Sequence, residues 1–183
     1  MTDVGNGNDS RGQRTPGRAA IKEAWQRTLE DMDALAAERE QQGWDVVIAR
    51  AGNTAPTAPA ERDDDRFGPS FTIPDNDAEE FAEAFERGDY PLYEVYRETV
   101  DDNVFLVVEY RDPDAETVIM IAGQYRLRDA PGMAQAAIDE DVIYTRVRTL
   151  DGTVLGSFQH DDYEKFVPDI ERVANWHGDG TED

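Results

Sequence analysis

The chain has 183 residues, 39% of them hydrophobic, with 41 Asp plus Glu against 18 Lys plus Arg, a formal net charge of −23 and no cysteine. That length and apolar content suit one core-bearing domain between loose ends. The missing cysteines exclude disulfides and thiolate chemistry, and the charge opposes general affinity for nucleic-acid phosphates.

Residues 1–17, rich in Gly and Pro, read as a disordered tail, with no hydrophobic stretch for a secretion signal. A helix is expected over 18–42, because Ile21, Trp25, Leu29, Met32, Leu35 and Ala36 recur at three- and four-residue steps. Gly43 stands where a left-handed cap belongs. A strand follows from Trp44, and 52–66, with two prolines and Asp63-Asp-Asp, reads as a long mobile loop. FGPSFTIP holds a short extended segment. Asp77 and Glu80, in capping-box spacing, open a second helix that Gly88 ends.

The central stretch reads as a strand meander: Tyr93–Val100, Val104–Arg111 and Thr117–Leu127, joined at Asp101-Asp-Asn and Asp112-Pro-Asp. Gly123, inside the third strand, marks a bulge. A helix over Gly132–Ile138 leads to a hairpin turning at Asp151-Gly152. Asp161 and Glu164 suggest capping of a last helix, which Pro168 must kink, and 175–183 reads as a second disordered tail. The expected order is α-β-α-β-β-β-α-β-β-α. That makes an α+β domain over 18–174, with a mainly antiparallel five- to six-stranded sheet and helices packed on one face. The topology from the second helix onward is similar to small secretion chaperones, an analogy that leans toward protein binding.

Acidic residues are spread along patterned apolar segments, as in a folded protein rather than an acidic coil. In molar salt the Debye length falls to about 3 Å, which screens such self-repulsion. Only Lys22 and Lys165 are lysine; the other sixteen basic residues are arginine. The composition points to a halophile's cytoplasm. The stretches RFGPSFTIP, FERGDYPLYEVYRETV, DPDAETVIMIAGQYRLRDAPG and YTRVRTLDGTVLGSFQHDDYEKF resemble an uncharacterised haloarchaeal family with a domain of unknown function, over most of 20–168. The resemblance implies no activity and no catalytic residues.

Three constellations invite chemistry. His160-Asp161-Asp162 joins an imidazole to two carboxylates, a weak metal-ligand or acid–base set. Its bland reading is Asp161 capping a helix while His160 closes the core edge beside Val154 and Phe158. Arg126 and Arg128 share one strand side, and Arg146 and Arg148 share another with Tyr144. Were those strands neighbours, the guanidinium groups would form a site for an anionic ligand or acidic partner; otherwise they pair with Glu94, Glu98 and Glu109. Asp63-Asp-Asp lacks the alternate spacing of a calcium loop. No phosphate loop or GxSxG elbow occurs, and the aromatic residues read as core.

No cofactor is expected, nor a nucleic-acid or membrane partner. The leading expectation is a non-enzymatic binding or protein-interaction protein of a halophilic cytoplasm, with a partner protein or a second copy. The rival is an anionic-ligand sensor or enzyme with a pocket beside Arg126, Arg128, Arg146 and Arg148.

Overall fold

The computed structural model describes residues 4–59 and 66–176. The Asp63–Asp65 run and His177 lie outside these residues. The first helix, α1 (Val4–Gln41), begins well ahead of Arg18. The stretch upstream carries Gly5, Gly7, Gly12, Pro16 and Gly17, all poor helix formers, which is why it reads as a tail in sequence. Gly43, at φ 100°, ends the helix turn as expected.

Strands β1 (Asp45–Arg50), β2 (Asn53–Thr57) and β3 (Gly68–Thr72) follow, then α2 (Asp75–Arg87). The meander is β4 (Leu92–Val100), β5 (Asn103–Asp112) and β6 (Thr117–Arg126). A single 3-10 turn, Leu127–Asp129, precedes α3 (Pro131–Glu140). The hairpin β7 (Ile143–Arg148) and β8 (Val154–His160) leads through a second 3-10 turn to α4 (Ile170–Ala174).

The fold is α+β, but its strands make two four-stranded mixed sheets rather than one antiparallel sheet of five or six. The first has the order β1-β6-β5-β4, with β1 parallel to β6; the second has β2-β3-β7-β8, with β3 parallel to β7. The expected loop over 52–66 holds strand β2, and the extended segment expected in FGPSFTIP is β3, both bearing proline. Pro56 and Pro69 face each other in the β2–β3 ladder, and proline argues against a strand unless it sits at an edge. β2 is such an edge, and the β3–β7 ladder starts only at Ser70.

Helices also occupy both faces of the first sheet, not one. Side chains alternate along a strand, so Val107, Val118, Met120 and Ala122 face α1 and pack against Met32 and Ala36. Their neighbours Leu106, Val108, Ile119 and Ile121 point the other way and meet Phe71, Ile143 and Val147 of the second sheet. Phe81 of α2, Met133 of α3 and Val173 of α4 complete that inner core. β5 and β6 are thus covered on both sides, which explains their unbroken apolar runs.

Gly123 is not a bulge. The β5–β6 register runs through Leu106 opposite Gly123 without a shift, and the glycine instead makes room for Phe71 and Thr54 of the second sheet. The irregularity lies in the other hairpin, between Val147 and Arg148. It sets Val154 opposite Arg148 on the outer face, where Val154 is 49% exposed. His160 therefore shares its side with Phe158 and Gly156, not with Val154. The hairpin turn spans Thr149–Thr153, with Gly152 at φ 94° and the Asp151 carboxylate accepting from the Thr153 N–H and both threonine hydroxyls.

Two expected caps take other roles. α2 starts at Asp75 behind Pro74, with no side-chain cap, and Asp77 accepts the Arg50 N–H at 3.2 Å. Around Asp161 there is only the short turn Tyr163–Lys165, again without a side-chain cap. No helix among the described residues is long and apolar enough to cross a membrane.

Candidate functional site

Residues of β4, β5 and β8, with Phe85 of α2 and the connection 88–91, line a cleft of about 580 Å³. Its floor is a chain of buried polar groups. Tyr110 on β5 reaches Thr145 Oγ1 on β7 at 2.6 Å, and that hydroxyl lies 3.1 Å from Nε2 of His160, the last residue of β8. Tyr110 Oη is itself 3.4 Å from the same nitrogen. The geometry follows from strand alternation: Thr145 sits between Ile143 and Val147 on the inward side, and His160 pairs with Ile143.

Aromatic rings wall the chain in. Tyr110 stacks on Phe158 with centroids 3.8 Å apart, and the imidazole touches the stacked pair Tyr93 and Phe166 at 4.5 and 4.7 Å. Phe85 of α2 closes over Phe158, edge to face. His160 is 3% exposed, and its Nδ1, on the ring edge away from Thr145, has no hydrogen-bond partner. A buried polar atom without a partner forfeits its hydration and calls for explanation.

Burial pushes the His160 pKa down to about 4; the Asp162 carboxylate opposes that fall and the Lys165 ammonium adds to it. Burial, aided by the charge of Asp162, raises Tyr93 to about 12, and burial likewise raises Tyr110. Near neutral pH the imidazole is uncharged and both phenols keep their protons. Thr145 is fully buried, so its hydroxyl cannot reach a substrate despite its bond to the histidine. The arrangement can donate and accept hydrogen bonds, and Ser157, half-buried, brings a further hydroxyl to the cleft.

The sequence candidates fall in different places. Asp161 and Asp162 both line the cleft beside His160, and Asp162 accepts from the Tyr93 hydroxyl at 3.4 Å. Among the described residues no three His, Cys, Asp or Glu side chains are arranged to hold a metal ion. The arginine pairs do not meet as one face, because β6 and β7 belong to different sheets. Arg128 binds Asp102 at 2.9 Å and Arg126 lies 3.8 Å from Asp129. Arg146 is nearly buried and donates to the Arg66 carbonyl at 3.2 Å; Arg148 donates to Thr72 Oγ1 at 3.3 Å. Tyr144 packs edge to face on Phe67. The glutamates expected to pair with them serve α1 instead: Glu98 binds Arg27 and Glu109 binds Arg39, each at 2.6 Å.

Sequence reading missed Tyr93, Tyr110 and Thr145, which it placed among core residues or passed over. The available signal was a hydroxyl at Thr145, on the inward side of a strand whose neighbours there are Ile143 and Val147. A larger cleft, about 760 Å³, lies between the β4–β5 turn and α4. It is lined by Leu127, Pro168, Val173 and Trp176, and its Asp102 is already paired with Arg128. Thr54, whose buried hydroxyl also lacks a partner, lines another cleft of about 360 Å³; the cleft at His160 adds a titratable ring and an aromatic wall.

No curated protein and no solved structure matches the chain. The model of a family of unknown function (DUF7529) matches residues 12–168, so kinship supplies no activity. That match spans most of the sequence, and the chain belongs to this family.

Proposed function

We propose that this is a non-enzymatic binding protein of a salt-rich, haloarchaeal cytoplasm, and that the cleft over Tyr110, Thr145 and His160 receives its ligand. The observation that carries the reading is the buried His160 Nδ1, which lacks a partner inside the protein while its residue lines an open recess. A ligand that parts the rings covering His160 would satisfy it. Tyr110, Thr145 and His160 direct their hydrogen bonds at one another inside the protein, which favours binding over turnover. The net charge of −23 supports the saline setting, since only concentrated ions would mask it.

The test is thermal melting in about 2–3 M KCl, where charge repulsion is screened, against a panel of small metabolites. A ligand at about 100 times its Kd should add about 2.7 kcal/mol of stability. Tyr93→Ala, which removes a wall of the cleft, should abolish that gain. A gain that survives the substitution would place the ligand elsewhere.

A second reading, pairing with another copy or a protein partner, is favoured by β4. This nine-residue strand is an edge of the first sheet and carries Leu92 and Tyr96 at 44% and 43% exposure. Sedimentation in the same salt tests it: a monomer at all concentrations that retains no partner protein rules it out.

A further inference from the structure

We infer that the ligand of this cleft carries an ammonium or substituted ammonium group, held between the ring of Tyr93 and the carboxylate of Asp162. The inference rests on the reading of the cleft as a ligand site. Its first support is an ammonium already present at that place. Lys165 Nζ lies 5.0 Å from the centroid of the Tyr93 ring and 3.8 Å from Asp162 Oδ2. An aromatic face attracts a cation through its quadrupole, and an adjacent carboxylate adds to the attraction. Lys165 is 40% exposed, so its flexible side chain can withdraw and yield the place to an incoming cation.

The second support is the sign of the walls. Asp89, Asp161 and Asp162 line the cleft, and the cation standing against them is Lys165. At contact range, where molar salt screens least, a carboxylate or phosphate ligand would meet these like charges and a cation would be favoured. The third is independent of the acidic residues. When the His160 Nε2–H donates to Thr145, Nδ1 keeps a lone pair that is buried in the free protein and can accept a ligand N–H once the rings over it part. Beyond the charged head, the half-buried rings of Phe158 and Phe85 offer an apolar wall for the ligand's body.

The test compares three probes of one shape in the intact chain at fixed molar NaCl: phenethylammonium, 2-phenylethanol and 3-phenylpropionate. Binding is read by saturation transfer to the probe and by the shift of the His160 ring signals. Phenethylammonium should bind at least about ten-fold tighter than the alcohol, and the carboxylate should bind weakest. Lys165→Met removes the internal competitor and should tighten phenethylammonium about three-fold or more, whereas Asp162→Asn should weaken it about ten-fold. Equal or tighter binding of the alcohol or carboxylate, or indifference to Lys165→Met, overturns the cationic ligand while leaving the cleft as a site. Failure of all three probes to move the His160 signals, in wild type and in Lys165→Met, overturns both.

Discussion

Gly123 of β6 and Phe71 of β3 meet where the two sheets close on each other. A Cβ built on Gly123 would stand 2.6 Å from Phe71 Cε1 and would also collide with the Thr54 hydroxyl. Phe71 is fully buried, so its ring has nowhere to retreat. The close approach is what lets one sheet pack on the other, and everything that positions the cleft depends on it.

Gly123→Ala should therefore destabilise the fold by about 1–3 kcal/mol through overpacking. The backbone there is ordinary extended strand, so the cost is steric. Pairing it with Phe71→Leu should recover part of the loss, measured by melting at matched salt. A single substitution without effect would show that the sheets are not in contact at this point.

Arg39 and Glu109 give a second test. Glu109 is wholly buried on the α1 side of β5, where Arg39 Nε and Nη2 reach its oxygens at 2.6 and 3.3 Å and Tyr96 donates at 3.3 Å. Arg39→Met leaves a carboxylate without its cation and should cost about 3–5 kcal/mol. Changing both to methionine should restore most of that stability, because two apolar side chains can occupy the same space. A double variant as weak as the single one would refute the pairing.

His160 predicts a pH window. Its folded pKa, about 4, lies below the ordinary 6.5, so between these values the unfolded chain binds a proton that the native one does not. Its contribution to stability is complete above about pH 6.5 and is lost as pH falls toward 4, in total on the order of 2–3 kcal/mol. The groups around it are Tyr93, Tyr110, Asp162 and Lys165, and only Asp162 opposes the shift by its charge. His160→Phe should flatten melting temperature against pH across that window relative to wild type. Parallel curves for the two proteins would contradict the burial.

Asp112 ties the meander to α2. One carboxylate oxygen accepts the N–H groups of Asp89 and Tyr90 at 2.6 and 3.2 Å, the other those of Asp114 and Ala115 at 3.0 and 3.2 Å. These backbone bonds, that from Asp89 above all, hold its pKa below the ordinary 3.8. Its stabilising effect is present above that value and fades as pH falls through the depressed one. Asp112→Ala should lower the melting temperature at pH 7 and release the Asp89 and Tyr90 amides to faster hydrogen exchange. Unchanged exchange would sink this assignment.

The sequence by itself determined the elements whose information is local. The α1 stripe from Trp25 to Ala36, the three meander strands with their aspartate turns, and the hairpin at Gly152 are each written in a period or a turn within a few residues. The acidic surface was equally plain from composition. What only the tertiary structure decided is which strands become neighbours. β1 pairs with β6 and β3 with β7 across dozens of residues, and proline at 56 disguised β2, the strand beside β3. The same non-local pairing separated Arg126 from Arg146 and brought Tyr110, Thr145 and His160 within hydrogen-bond reach. Alternation tells which side of a strand a residue takes; packing between sheets decides what waits there.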